Sequence, residues 1–157
     1  CDEAVLVSAR EFGGSDTYAT SQILAAAIKK VGVDEDDIVF CGRQAIDGDT
    51  AQVGPQIAEH LNIPNVSYAE DIQVEGDTVT VKRQYEDRYH TVKVKMPCLI
   101  TALSELNQPR YMTPGGIFDA YREKTVTVWT VNDIEVDMDK IGLKARPQEC
   151  SRASRRA

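Results

Sequence analysis

Twice between Ala4 and Leu61, a short apolar run gives way to a turn and then to a stripe of helical period. That alternation constrains the fold more than any other feature. Strand, helix, strand, helix at these lengths builds parallel strands joined by helical crossovers. The first unit begins at Ala4-Val5-Leu6-Val7 and turns through Gly13-Gly14-Ser15-Asp16-Thr17. From Asp16 to Val31, the residues Ala19, Ile23, Leu24, Ala27, Ile28 and Val31 share one helical face, which predicts a helix with its core side there. Lys29 and Lys30 suit its last turn, and Gly32 stops it. The second unit begins at Asp37-Ile38-Val39-Phe40-Cys41-Gly42, a run of the kind carried by strands buried on both faces. Its helix uses Val53, Ile57, Ala58 and Leu61 and ends at Asn62-Ile63-Pro64.

Beyond Pro64 the period changes to two. Val74 to Val81 spans Glu75-Gly76-Asp77-Thr78, a hairpin-type turn, and Thr91 to Met96 alternates cleanly, which leaves one face wet. Pro97-Cys98-Leu99-Ile100-Thr101-Ala102 returns to buried-strand composition, and Thr125 to Thr130 supplies one further strand. One α/β domain with an antiparallel ribbon follows, covering 1–143.

Composition removes several classes. A chain of 157 residues with 42% apolar content can bury a core of its own. No run approaches the ~18 apolar residues that a membrane span needs. The net charge of -7 disfavours a broad nucleic-acid surface. Residue 1 is Cys and no charged-then-apolar leader follows, so the start reads as an interior cut. From Lys144 to Ala157 five basic residues face one Glu, so this tail of +4 leaves -11 on the rest and reads as disordered. Cys1, Cys41, Cys98 and Cys150 form no C-x-x-C pair, which argues against a metal site and fits a reducing compartment, the cytoplasm. No Ser/His/Asp or Cys/His arrangement is visible, so no catalytic residue is assigned.

The loop Gly42 to Pro55 leaves the carboxyl end of a buried strand and opens a helix, the place where open α/β sheets bind ligands. Gly48 and Gly54 allow close backbone approach, and the first-turn N–H groups of the helix can accept a phosphate. Thr50 and Gln52 add side-chain donors, while Asp47 or Asp49 can accept from ribose hydroxyls or cap the helix. The same residues also describe a polar loop with a capped helix and no ligand. Neither G-x-x-x-x-G-K-[ST] nor G-x-G-x-x-G is present.

The segment Gln44-Ala45-Ile46-Asp47-Gly48-Asp49-Thr50-Ala51-Gln52-Val53-Gly54-Pro55 closely resembles the nucleotide-binding loop of electron transfer flavoprotein β subunits. Downstream, Leu106-Asn107-Gln108-Pro109-Arg110-Tyr111-Met112-Thr113 resembles the start of that family's partner-recognition loop, and Val81 to Ala102 resembles its ribbon. The likeness runs from about Asp2 to Leu143. It implies a parallel-sheet nucleotide-binding domain, Rossmann-like and similar to adenine nucleotide alpha hydrolases, without the family's first strands.

It also implies a cofactor, FAD or alternatively AMP, held by Gln44, Asp47, Gly48, Asp49, Thr50, Ala51, Gln52, Val53 and Gly54. Arg43 or Gln44 is placed toward the flavin end. Phe12 to Ser21 resembles the FAD-binding, bifurcating group, which includes nitrogen-fixation-linked homologues, and brings in Asp16 and Thr17 as a second contact. The implied partners are an electron transfer flavoprotein α subunit, an acyl-CoA dehydrogenase-type partner at Pro109, Arg110, Tyr111, Met112 and Thr113, and NADH and ferredoxin in the bifurcating group. Pro114-Gly115-Gly116 replaces the Leu-Pro of mitochondrial-type members, and the two glycines predict a mobile loop. Arg88 and His90 depart from the family's ribbon, and His90 is expected at the surface. The rival reading is a stand-alone adenine-nucleotide sensor with no redox function. A third is a truncated core that binds nothing.

Overall fold

The computed structural model describes residues 1–145. Strand β1 (Ala4–Val7) leads into helix α1 (Thr17–Val31), β2 (Ile38–Gly42) and α2 (Val53–Leu61). Then come β3 (Asn65–Glu75), β4 (Thr78–Tyr85), β5 (Arg88–Lys95) and β6 (Cys98–Ala102), followed by helix α3 (Pro114–Glu123) and β7 (Val126–Trp129). The parallel strands fall into two sheets. In one, β1 pairs with β7; in the other, the order is β2-β6-β3-β4-β5. The β2-β6-β3 part is parallel, and β3-β4-β5 is the antiparallel ribbon expected from the period-two segments.

Local chemistry explains the elements. The Asp16 carboxylate accepts from the Ala19 N–H at 2.9 Å and caps α1, which ends at Gly32 with φ 99. Gly76, with φ 60, makes the two-residue turn between β3 and β4. Helix α1 buries Ala19, Ser21, Ile23, Ala25 and Ala27, and the short side chain of Ala25 lets α2 approach. Its Ile23 and Ala27 pack with Val7, Trp129, Ile134 and Ile141, while Ala25 packs with Ile57, Ala58 and Leu99. This one helix therefore seals both sheets. A third cluster, Val66, Ala69, Val79, Val81, Cys98 and Ile100, lies under the ribbon.

Three expectations are corrected. Strand β2 is not buried on both faces: it is an edge of its sheet, with Phe40 53% exposed, and the enclosed strand is β6 between β2 and β3. Val31 and Leu24, assigned to the core face of α1, are exposed, because the small residues Ser21 and Ala25 carry the contact to α2 instead. The expected mobile loop at Gly115 and Gly116 is the first turn of α3. There Thr113 Oγ1 accepts from the Gly116 N–H at 3.2 Å and Pro114 occupies the first turn, so the cap and the pre-set φ outweigh the glycines.

Of the tail, Lys144 and Ala145 end a short 3-10 turn, Gly142–Ala145. The expectation of disorder for the rest, and Cys150, lie outside the described residues. Among the described residues no helix is long and apolar enough to cross a membrane.

Candidate nucleotide site

The loop leaving β2 and the amino end of α1 face each other across one cavity of about 650 Å³. Every residue the sequence proposed for cofactor binding lines it: Gln44, Asp47, Gly48, Asp49, Thr50, Ala51, Gln52, Val53 and Gly54 from the loop, Asp16 and Thr17 from α1. The two sides touch directly, with Thr17 Oγ1 donating to Gln52 Oε1 at 3.1 Å.

The backbone of the loop has an unusual trace. Asp49 and Ala51 have φ of 50 and 51, while Thr50 between them does not share that sign. Alternation of this kind turns successive N–H groups into one concavity, an arrangement suited to anions. Left-handed backbone costs a non-glycine residue on the order of 1–2 kcal/mol, so the trace needs holding. Asp49 is held twice: its N–H donates to Ala45 O at 3.0 Å, and its carboxylate accepts from the Gln44 amide.

Helix α2 then begins without a side-chain cap at Gln52 and without an acidic residue in its first turn. In contrast, α1 and α3 are capped by Asp16 and Thr113. The first N–H groups of α2 therefore have no side-chain cap, and they lie at the positive end of the helix dipole. Gly54 is buried, and a Cβ there would lie 2.7 Å from Thr101 Cγ2, which shows how closely the helix start is laid on β6.

The Gly-rich turn before α1 contributes less than its composition suggests. Ser15 donates to Phe12 O and accepts from the Gly142 N–H at 3.0 Å, while Gly14 lies against Leu143. Those groups hold the 141–143 segment. Thr17 is the side chain that reaches the loop.

Sequence reasoning missed Ser15, Thr20, Leu24, Cys41 and Ile57 as lining residues. Thr20 and Leu24 follow Thr17 at helical spacing, a signal masked by assigning Leu24 to the core. Burial pushes the Cys41 thiol up, so it stays uncharged at neutral pH. No group of three or more His, Cys, Asp or Glu is arranged to hold a metal among the described residues.

The residues matched to partner recognition lie elsewhere. Pro109, Arg110, Tyr111 and Met112 are exposed, and Met112 and Thr113 share an apolar groove of about 560 Å³ with Gly116, Ile117, Ala120 and Tyr121 of α3. His90 is exposed on β5 and stacks on Tyr85.

Residues 1–134 match the family described as "Electron transfer flavoprotein domain". The "Electron transfer flavoprotein subunit beta" of Clostridium acetobutylicum is 55% identical over 153 residues, covering 98% of this chain and 58% of the relative. The "Caffeyl-CoA reductase-Etf complex subunit CarD" of Acetobacterium woodii is 53% identical over 152 residues, covering 97% and 57%. "Protein FixA" of Azorhizobium caulinodans is 40% identical over 154 residues, covering 93% and 54%. The chain thus spans somewhat more than half the length of these relatives.

Proposed function

Since the chain belongs to the electron transfer flavoprotein domain family, we propose that it forms the nucleotide-binding core of a β-type subunit whose site takes FAD, with AMP as the alternative. The observation that carries this reading is the uncapped start of α2 beneath a loop of alternating φ, both opening into one cavity. The donor set fits a nucleotide diphosphate. N–H groups of Val53 and Gly54 face the phosphates, Thr50 and Thr17 supply hydroxyls, and Asp47 accepts from ribose. Asp49 is turned to Gln44 and does not oppose the phosphates. When bound, FAD supplies one- and two-electron chemistry that these side chains lack. The chain's own part is to bind, orient and shield.

In this proposal an α subunit completes a heterodimer that carries electrons between NADH or acyl-CoA dehydrogenases and downstream acceptors such as ferredoxin, in the cytoplasm. The names of two relatives, the caffeyl-CoA reductase complex subunit and the "Acryloyl-CoA reductase electron transfer subunit gamma" of Anaerotignum propionicum, support electron transfer within a complex that includes a CoA-ester reductase. The exposed groove along α3, with Tyr121 89% exposed, together with the preceding Tyr111, 99% exposed, is the surface we assign to the dehydrogenase-type partner. Such a surface would serve no purpose in a stand-alone sensor.

Nucleotide released by heat or acid from the full heterodimer and identified by chromatography tests the reading. FAD is expected; AMP alone would remove the bifurcating assignment. Replacing Asp49 and Thr50 together by Ala should empty the site, and full retention of nucleotide would refute it.

A further inference from the structure

Helix α1 has a second lined face. Thr17, Thr20 and Leu24 look onto the nucleotide loop. Gln22, Ala25, Ala26 and Lys29 fall on the opposite side of the helix at 3.6 residues per turn, and they line a separate cavity of about 160 Å³. His60 of α2 closes it, with Glu135, Val136 and Asp137 from the segment after β7.

The hydrogen bonds around this cavity determine what it offers. Ser21 is fully buried and donates its one hydroxyl hydrogen to Tyr18 O at 2.7 Å. The Ser21 oxygen also lies 3.1 Å from His60 Nε2, so that nitrogen must be the donor. In the neutral ring Nδ1 is then an acceptor. The Gln22 amide donates to the Tyr18 hydroxyl at 3.1 Å, yet its Oε1 is buried and accepts from no group among the described residues. A buried amide oxygen left this way is costly and calls for a donor. Asp137 is engaged, by Lys140 at 3.2 Å and by the Asp139 N–H at 3.1 Å. Lys29 and Glu135 make no ion pair among the described residues.

We propose that this cavity binds a small amino acid as its zwitterion. An ammonium group is the donor that Gln22 Oε1 and His60 Nδ1 lack, and the Glu135 carboxylate is its counter-charge. The carboxylate end of the ligand pairs with Lys29. A simple anion would leave Gln22 Oε1 without a donor and would meet Glu135. A metal ion does not fit, since no three His, Cys, Asp or Glu are arranged to hold one among the described residues. The volume equals that of about five water molecules, which limits the ligand to the size of glycine or alanine. Ala25, Ala26 and Val136 supply the apolar lining for its carbon atoms. The site shares only α1 with the nucleotide cavity and stands apart from the nucleotide reading.

Amide NMR titration of the full chain with glycine, methylammonium and acetate tests it. Glycine should shift the Gln22, Ala25, Ala26 and Val136 amides saturably. Each half-molecule should bind about ten-fold more weakly, or worse. Lys29→Met and Gln22→Met keep the bulk of the side chains, and each should weaken glycine about ten-fold, the loss of one charge-assisted hydrogen bond. Methylammonium or acetate binding as tightly as glycine would overturn the zwitterion assignment. So would glycine shifts confined to other residues, or an unchanged affinity in both variants.

Discussion

Gly54 carries more constraint than its size suggests. A methyl added there would meet Thr101 Cγ2 at 2.7 Å, Cys41 Cβ at 3.5 Å and Leu99 Cδ2 at 3.7 Å. Those neighbours belong to the enclosed strand β6 and to β2, and Thr101 also anchors the bulge at Tyr68. Gly54→Ala should therefore destabilise by about 1–3 kcal/mol, the range for overpacked interiors, measured as a lower urea midpoint. An unchanged midpoint would show that α2 can lift without loss. Asp133 permits a pH test. Its carboxylate accepts from the Thr130 N–H at 2.7 Å and the Thr130 hydroxyl at 2.8 Å, and the backbone bond is the larger reason its carboxyl sits below the usual range. A carboxyl lowered on folding adds stability that is present above its unfolded value and lost as pH falls through the folded one. Asp133→Asn should thus lower the melting temperature at pH 7, and the gap to the parent chain should close at acid pH. A gap constant with pH would count against the Asp133 account.

Helix α3 shows which parts of a sequence speak for an element. Its start signal, Thr113 followed by Pro114, stands in the sequence, yet two consecutive glycines argued louder for a loop. Here the glycines separate cleanly. A Cβ on Gly115 meets nothing within 4 Å, whereas one on Gly116 lies 3.1 Å from the capping Thr113 Oγ1. Gly115→Ala should raise stability by about 0.5–1 kcal/mol, read by thermal melting, while Gly116→Ala should not, because it crowds the cap. Equal gains would show that the cap contributes little. Elsewhere the periods served well: α1, α2 and the ribbon stand where the spacing of apolar residues put them. The neighbours of β2 were not legible, since an apolar run records a preference for burial and not which strand lies beside it. The loop side of the site was legible because a βα junction sits at the carboxyl end of a strand by construction. The wall that Arg43 shares with Tyr68 was not, because it depends on a register, Gly42 with Ala102, and on the irregularity between Val66 and Ala69.

At the scale of the molecule, a parallel pair and a mixed sheet share helix α1. Helix α1 packs on the β1–β7 side through Ile23 and Ala27 and on α2 through Ala25, and its Thr17 touches the nucleotide loop. A ligand in the loop cavity therefore bears on an element common to both halves. Nucleotide binding should raise the melting temperature of the whole transition, with a gain of about 2.7 kcal/mol at a hundred times the dissociation constant. A shift confined to a minor transition would show that the halves melt apart. The chain's one tryptophan, Trp129, packs beside Ile23, Ile134 and Ile141 with the Lys30 ammonium 4.3 Å from its ring centre. It does not line the nucleotide cavity. Its emission is consequently an optical gauge of the contact between α1 and the β1–β7 half, away from the nucleotide cavity, so a flat fluorescence trace during a nucleotide titration would not by itself signify an empty site.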